Sequence, residues 1–268
     1  MQNKIRELLP ENMRKTFDDI VEQKVLGAGN HISMVGNMIE ALVQRGLKEK
    51  RTAAEVVDEI LQVAGYFIQT RGEASQAVSN AIYLMIHNIR SCRKMSMEDA
   101  AQAILRTKNN YKKAADEAVR QCVAYGVRLA KDMDRIFVYD YSSTVEKFLK
   151  GLKENGKPYT IYIAESRIID GGRPFLKACQ ETGHKIKFFP EASMMYYLKD
   201  CDGAFMGAET FYPDGTGFNT TGSDIVGLIC RHYGVPRYFL APMNTLDIRP
   251  VTGVTKHQAS DDVIGELT

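Results

Sequence analysis

The chain has 268 residues, 44% of them hydrophobic, with 35 basic and 33 acidic side chains and a net charge of +2. That is enough apolar material for one or two cores, and no basic stripe interleaved with aromatics marks a nucleic-acid partner. Five scattered cysteines (Cys92, Cys122, Cys179, Cys201, Cys230) contain no CxxC pair, so a disulfide framework and a paired-cysteine metal site are both out of pattern.

Residues 1–10 carry no long apolar run. Neither a signal peptide nor a membrane span is expected, and the setting that fits is the cytoplasm. Residues 11–26 then place Met13, Phe17, Ile20, Val21 and Val25 at helical spacing. Gly27-Ala28-Gly29-Asn30 interrupts the pattern, and a second helix over about 31–45 puts Met34, Met38, Ile39 and Leu42 on one side. Thr52 caps a third helix, striped by Val56, Val57, Ile60, Leu61 and Ala64. Arg71-Gly72 ends it. Ser75 or Ala74 opens a fourth, and Ser96 with Asp99 opens a fifth, over about 97–133, in which the polar residues 107–113 are a candidate break. The expectation is a helical domain over 1–134.

From residue 135 the period changes. Short β-rich runs at 136–141, 160–165, Lys185–Phe189, 204–207 and 238–241 alternate with helical patterns at 145–153, 172–182, 192–198 and Ser223–Tyr233. Gly156, Gly183 and Gly234 follow three of these helices, as C-terminal glycines do. Strand alternating with helix predicts an α/β fold, a doubly wound parallel sheet over 135–268. Ligands of such sheets bind beyond the carboxyl ends of the strands. The tail 251–268 shows no obvious helix or strand.

The strand ends therefore hold the candidate chemistry. The first strand runs into Tyr139-Asp140-Tyr141-Ser142-Ser143-Thr144. Its hydroxyls suit a helix cap, and Glu146 stands three after Ser143, as in a capping box. Free N–H groups at such a turn favour a phosphate, and plain capping is the alternative reading. Asp140 is odd in an apolar run; buried, it would gain a raised pKa and act as an acid, and otherwise it caps the turn. Glu165 and Arg167 end the second strand, suited to orienting hydroxyls or phosphate, or to a mere salt bridge. Glu209, beyond the fourth strand, is a candidate base beside a Gly-rich loop. Asn219, Thr220, Thr221 and Ser223 lead into the next helix. In the helical half, Gly29, Asn30 and Arg71 lie at glycine breaks, and arginine suits phosphate. No P-loop and no GxGxxG occurs, so a nucleoside triphosphate or dinucleotide lacks its fingerprint.

Taken in order, Tyr139-Asp140-Tyr141-Ser142-Ser143-Thr144-Val145, Glu165-Ser166-Arg167, Gly207-Ala208-Glu209 and Asn219-Thr220-Thr221-Gly222 resemble one family, with Thr70-Arg71-Gly72 and Ser79-Asn80-Ala81-Ile82 as its arginine-bearing helix junction. It is the family of the regulatory (alpha, beta, delta) subunits of translation initiation factor 2B, which also holds methylthioribose-1-phosphate isomerase and ribose-1,5-bisphosphate isomerase. The resemblance implies an N-terminal helical domain, a Rossmann-like C-terminal domain and a homodimer or higher homo-oligomer through the latter. It implies a sugar phosphate as ligand, with no metal and no cofactor. In the isomerases a cysteine after the first strand and an aspartate after the fourth move protons between C1 and C2. Here Asp140 stands at the cysteine position, Glu209 at the aspartate position, and Thr220 where a lysine is usual. The expected site is thus Asp140 and Glu209 as acid and base, with Gly29, Asn30, Arg71, Ser142, Ser143, Glu165, Arg167, Asn219 and Thr220 binding substrate. The expected function is an aldose–ketose isomerase for a phosphorylated pentose-type sugar. The alternatives are a non-catalytic sugar-phosphate- or nucleotide-binding regulatory subunit and an unrelated nucleotide-binding α/β protein.

Overall fold

The computed structural model describes residues 2–25 and 27–249. Leu26, at the expected end of the first helix, and the tail 251–268 lie outside the described residues. The chain divides into two compact units between Asp116 and Glu117, inside a helix.

The first unit is helical: α1 (Gln2–Leu8), α2 (Glu11–Val21), α3 (Ala28–Lys48), α4 (Ala53–Gln69), α5 (Arg71–Ala74), α6 (Gln76–Met85) and the front of α7 (Met97–Leu129). Helix α1, one short apolar stripe, is not foreseen by the pattern. Helix α2 stops early because Gln23 turns left-handed (φ 53) and the Lys24 N–H folds back onto the Asp19 carbonyl at 3.0 Å. Thr52 does cap α4. Its Oγ accepts from Glu55 N at 3.3 Å, and its own N–H donates to the Glu55 carboxylate at 2.9 Å, a full capping box. Helix α7 does not break at 107–113. Lys108 lies along Gly36 of α3 and pairs with Glu40, while Tyr111 packs on the apolar core. The polar run is one face of a continuous helix. Phe17, Met38, Ile39, Val56, Ile60 and Phe67 centre the core, all fully buried.

The second unit holds five parallel strands: β1 (Arg135–Tyr139), β2 (Thr160–Ala164), β3 (Lys185–Phe189), β4 (Gly203–Met206) and, after a two-stranded ribbon of β5 (Thr210–Phe211) and β6 (Gly217–Phe218), β7 (Arg237–Phe239). Strand order is β3-β2-β1-β4-β7. The helices between them are α8 (Ser143–Gly151), α9 (Pro174–Thr182), α10 (Met194–Leu198) and α11 (Ser223–Tyr233). Alternation along β1 explains the winding. Ile136 and Val138 face a core with Phe148 of α8 and Phe175 of α9. Phe137 and Tyr139 face another with Met194 of α10 and Val226 of α11. Both faces of the sheet are covered, as the apolar strands require.

Candidate functional site at the strand switch

From β1 the chain moves outward to β3, then returns to the other side of β1 to lay down β4. The connections diverge between β1 and β4, where a doubly wound sheet binds ligands. Tyr139 and Met206 are register partners at the two strand ends, so Asp140 and Gly207 are the next residues. The turn after β1 presses against Gly207. A Cβ there would lie 2.5 Å from Ser142 Cβ and 2.6 Å from its Oγ, an approach only glycine permits.

Asp140 takes a left-handed φ of 58, a region aspartate tolerates better than most residues. It is 3% exposed. The Ser166 hydroxyl donates to its Oδ1 at 3.2 Å, and the Thr220 hydroxyl also hydrogen-bonds it. Gly171 closes over it: a Cβ on that glycine would stand 2.1 Å from Oδ1. Burial pushes the Asp140 carboxyl above the ordinary range, outweighing hydrogen bonds from Thr220, the Tyr141 N–H and Ser166. A buried carboxyl met only by neutral donors is suited to carry and release a proton.

The hydroxyl turn does cap α8, one residue earlier than the pattern suggests. Ser142 is the cap, its Oγ accepting from Val145 N at 3.4 Å. The expected Ser143–Glu146 box does not form, because the Glu146 carboxylate accepts from the Tyr141 hydroxyl at 2.9 Å and from Lys150 at 2.7 Å. Ser143 is exposed in the first turn, where backbone N–H groups lack intrahelical partners.

A phenol ties the neighbouring loops. Tyr139 OH donates to the Thr221 carbonyl at 2.7 Å and approaches Glu191 Oε1 at 3.5 Å. Glu191 Oε1 accepts from Arg167 N at 2.7 Å. Burial, then the Glu191 charge, pushes the Tyr139 pKa up to about 12, so it stays a donor. Gly222, at φ 97, leaves room for this phenol; a Cβ would lie 2.2 Å from its oxygen. Beside it, Asn219 Nδ2 and Ser223 Oγ are buried without a partner among the described residues, at the start of α11. Glu209 is exposed at the foot of the ribbon, its N–H donating to the Phe218 carbonyl at 3.0 Å. Glu165 is half-buried and Arg167 exposed.

In the helical unit, Gly29 and Asn30 are exposed in the first turn of α3, and Arg71 opens α5 with its Nε buried and unpartnered among the described residues. In the α/β unit, Asp140 and Thr220 come together. Tyr139 and Ser166, which stand in the stretches that carry the resemblance but receive no role there, are parts of that site, and so are Gly171 and Glu191. Ser166 and Gly171 stood in plain view, in the polar and glycine residues just after β2. Glu191 lies just past the end of β3, where ligands of such sheets are to be sought, but its residue type alone does not mark it. No group of three His, Cys, Asp or Glu side chains fit for a metal occurs among the described residues.

Residues 30–263 match the sequence profile of the Initiation factor 2 subunit family. The chain belongs to that family. An eIF-2B subunit 2-like protein of Pyrococcus furiosus is 25% identical to this family member over 234 residues, 87% of this chain and 79% of the relative. Methylthioribose-1-phosphate isomerase of Exiguobacterium sibiricum is 22% identical, over 90% of this chain and 71% of the relative. Ribose 1,5-bisphosphate isomerase of Archaeoglobus fulgidus is 23% identical, over 90% and 74%. Among solved structures, 5-methylthioribose 1-phosphate isomerase of Pyrococcus horikoshii superposes with a TM-score of 0.76 at 16% identity, covering 97% of this chain and 78% of that one. The fold, N-terminal helices followed by a five-strand parallel sheet, is thus shared with family structures. Isomerases and initiation-factor subunits resemble this chain to a similar degree. No helix among the described residues is long and apolar enough to cross a membrane.

Proposed function

We propose that this family member is a cytoplasmic homo-oligomer that binds a phosphorylated pentose-type sugar at the β1–β4 switch and interconverts its aldose and ketose forms. One observation carries the reading: Asp140, 3% exposed and pushed toward its protonated form, at the carboxyl end of the first strand. Opening an aldose 1-phosphate ring needs a proton delivered to the ring oxygen as the C1–O bond breaks. Isomerisation then removes the hydrogen from C2, returns one to C1 and turns the C2 hydroxyl into a carbonyl. Asp140 serves as the acid and Glu209 as the base. Ser142, Ser143, Asn219 and Thr220, at the starts of two helices, are suited to the phosphate or the sugar. Glu165 and Arg167 orient hydroxyls.

The test is incubation with a panel of sugar 1-phosphates in deuterated water, following deuterium at C1 and C2. Asp140→Asn and Glu209→Gln should each slow exchange by about 10²-fold or more, the usual weight of a general acid or base. A second reading has its own support, since Asp140 stands where the isomerases of the resemblance carry cysteine. A regulatory subunit predicts thermal stabilisation by sugar phosphates with no exchange at all.

A further inference from the structure

Strands β2 and β3 pair in parallel to their ends, where the Glu165 N–H donates to the Phe189 carbonyl at 2.9 Å. Bonds of a parallel ladder recur at even spacing, so the next acceptor, for the Arg167 N–H, would be the backbone carbonyl of Glu191. The chain turns away before it can serve: Pro190 leads into a 3₁₀ turn over Glu191–Ser193. The Glu191 side chain takes that place instead, its Oε1 accepting from Arg167 N at 2.7 Å.

What it holds is a bent stretch. Ser166, fully buried, takes a left-handed φ of 50, a conformation a serine keeps only when its surroundings over-determine it. From there its hydroxyl donates to Asp140 Oδ1 at 3.2 Å. The Gly171 N–H ties the other side of the turn, donating to the Ser166 carbonyl at 3.1 Å. The groups that hydrogen-bond the Asp140 carboxyl are neutral: Ser166 from the β2 loop, Thr220 from the loop before α11 and the Tyr141 N–H from its own turn. Tyr139, on β1, feels the charges of both Asp140 and Glu191. Donors to a carboxylate favour its charged form. Ser166 therefore tempers what burial does, and without it Asp140 would be a weaker acid, slower to give up a proton.

We propose that Glu191 is a positioning residue for Asp140: its carboxylate holds the Ser166–Arg167 turn so that the Ser166 hydroxyl stays on the buried carboxyl and sets its acid strength. The inference rests on the reading of Asp140 as the acid. Its test is a carbon-13 NMR titration of the full chain labelled at aspartate Cγ, without sugar, the Asp140 signal being the one lost in Asp140→Asn. Ser166→Ala should raise the Asp140 midpoint by about one pH unit, the weight of one hydrogen bond to a charged group. Glu191→Ala should raise it by about half a pH unit or more, and should add nothing once Ser166 is alanine. Glu191→Gln keeps an acceptor oxygen for Arg167 N and should titrate as the wild type does. A merely electrostatic role predicts the opposite sign, since removing a negative charge lowers the midpoint in the Ala and Gln variants alike. A lowered or unmoved midpoint in Glu191→Ala, a Gln variant that moves as far as Ala, or a further rise in the double variant overturns the inference. Ser166→Ala removes one oxygen and keeps the test alive should Glu191→Ala not fold; an unmoved midpoint there overturns it too. The two proposals fail separately: a responsive midpoint without deuterium exchange removes the isomerase alone, and exchange with an unresponsive midpoint removes the Glu191 role alone.

Discussion

Gly207→Ala probes the contact that shapes the switch between β1 and β4. The new methyl would stand 2.5 Å from Ser142 Cβ and 2.6 Å from Ser142 Oγ. Carbon atoms in contact rest at about 3.5–4.0 Å, so the overlap is about 1 Å. Rotating the serine moves Oγ but not Cβ. Relief therefore requires the β1–α8 turn or the end of β4 to shift. Overpacking of this kind costs about 1–3 kcal/mol, and a shift that opens the Ser142 cap on Val145 adds about 1 kcal/mol. The loss should appear in native-state hydrogen exchange of the β1 and β4 amides, which reads the α/β unit without the helical one. Ser142→Gly alone should cost only a few tenths of a kcal/mol, because glycine is nearly as good a cap. In the Gly207→Ala background it removes the opposing Cβ and should restore most of the loss. A double-mutant coupling below about 0.5 kcal/mol would mean the two sites are independent. The close approach would then not be what requires glycine.

Asp140→Asn should gain on the parent as pH rises. A carboxyl with a raised folded pKa lends stability below the ordinary carboxylate range and loses it as pH climbs through the folded value, at about 1.4 kcal/mol per unit of elevation. Paired melts at pH 4 and pH 7 should show the advantage of the Asp140→Asn variant only at the higher pH, and an advantage that shrinks toward neutrality sinks the argument. His184 accepts from Tyr159 N at 3.3 Å through Nδ1 and lies 3.0 Å from the Leu149 carbonyl through Nε2; burial lowers its pKa against that carbonyl's pull. Its contribution is full above the ordinary imidazole value and fades on acidification, so its NMR titration should have a midpoint below about 6.5. Tyr139→Phe should cost about 1 kcal/mol in the α/β unit by denaturant titration, the bond to the Thr221 carbonyl being lost. Thr52→Ala should cost about 1 kcal/mol in the helical unit and leave exchange of the sheet amides unchanged.

Where residues near in sequence decide, the pattern reads true. Lys185–Phe189 and Ser223–Tyr233 have the bounds expected of them, and Gly183 and Gly234 close their helices at φ 74 and φ 70. Where a distant partner decides, it misleads. Residues 107–113 look like a break until Lys108 finds Glu40 on α3. Ser142 and Ser143 are equivalent as caps on paper. The choice falls to Ser142, and the Tyr141 hydroxyl and Lys150 engage Glu146. The burial of Asp140 depends on Ser166 and Gly171, a strand and a helix further along the chain. Strands of two residues, as in the β5–β6 ribbon, are too short to show a period.

Strand β3 forms one rim of the described sheet, with Lys185 and Lys187 exposed along it. Lys187 stays near home, donating to the Tyr162 hydroxyl at 3.1 Å. An open rim is where foreign strands add and aggregates seed. Any chain that docked there would have to strip water from two ammonium groups, so the lysines act as a gatekeeper against runaway sheet growth.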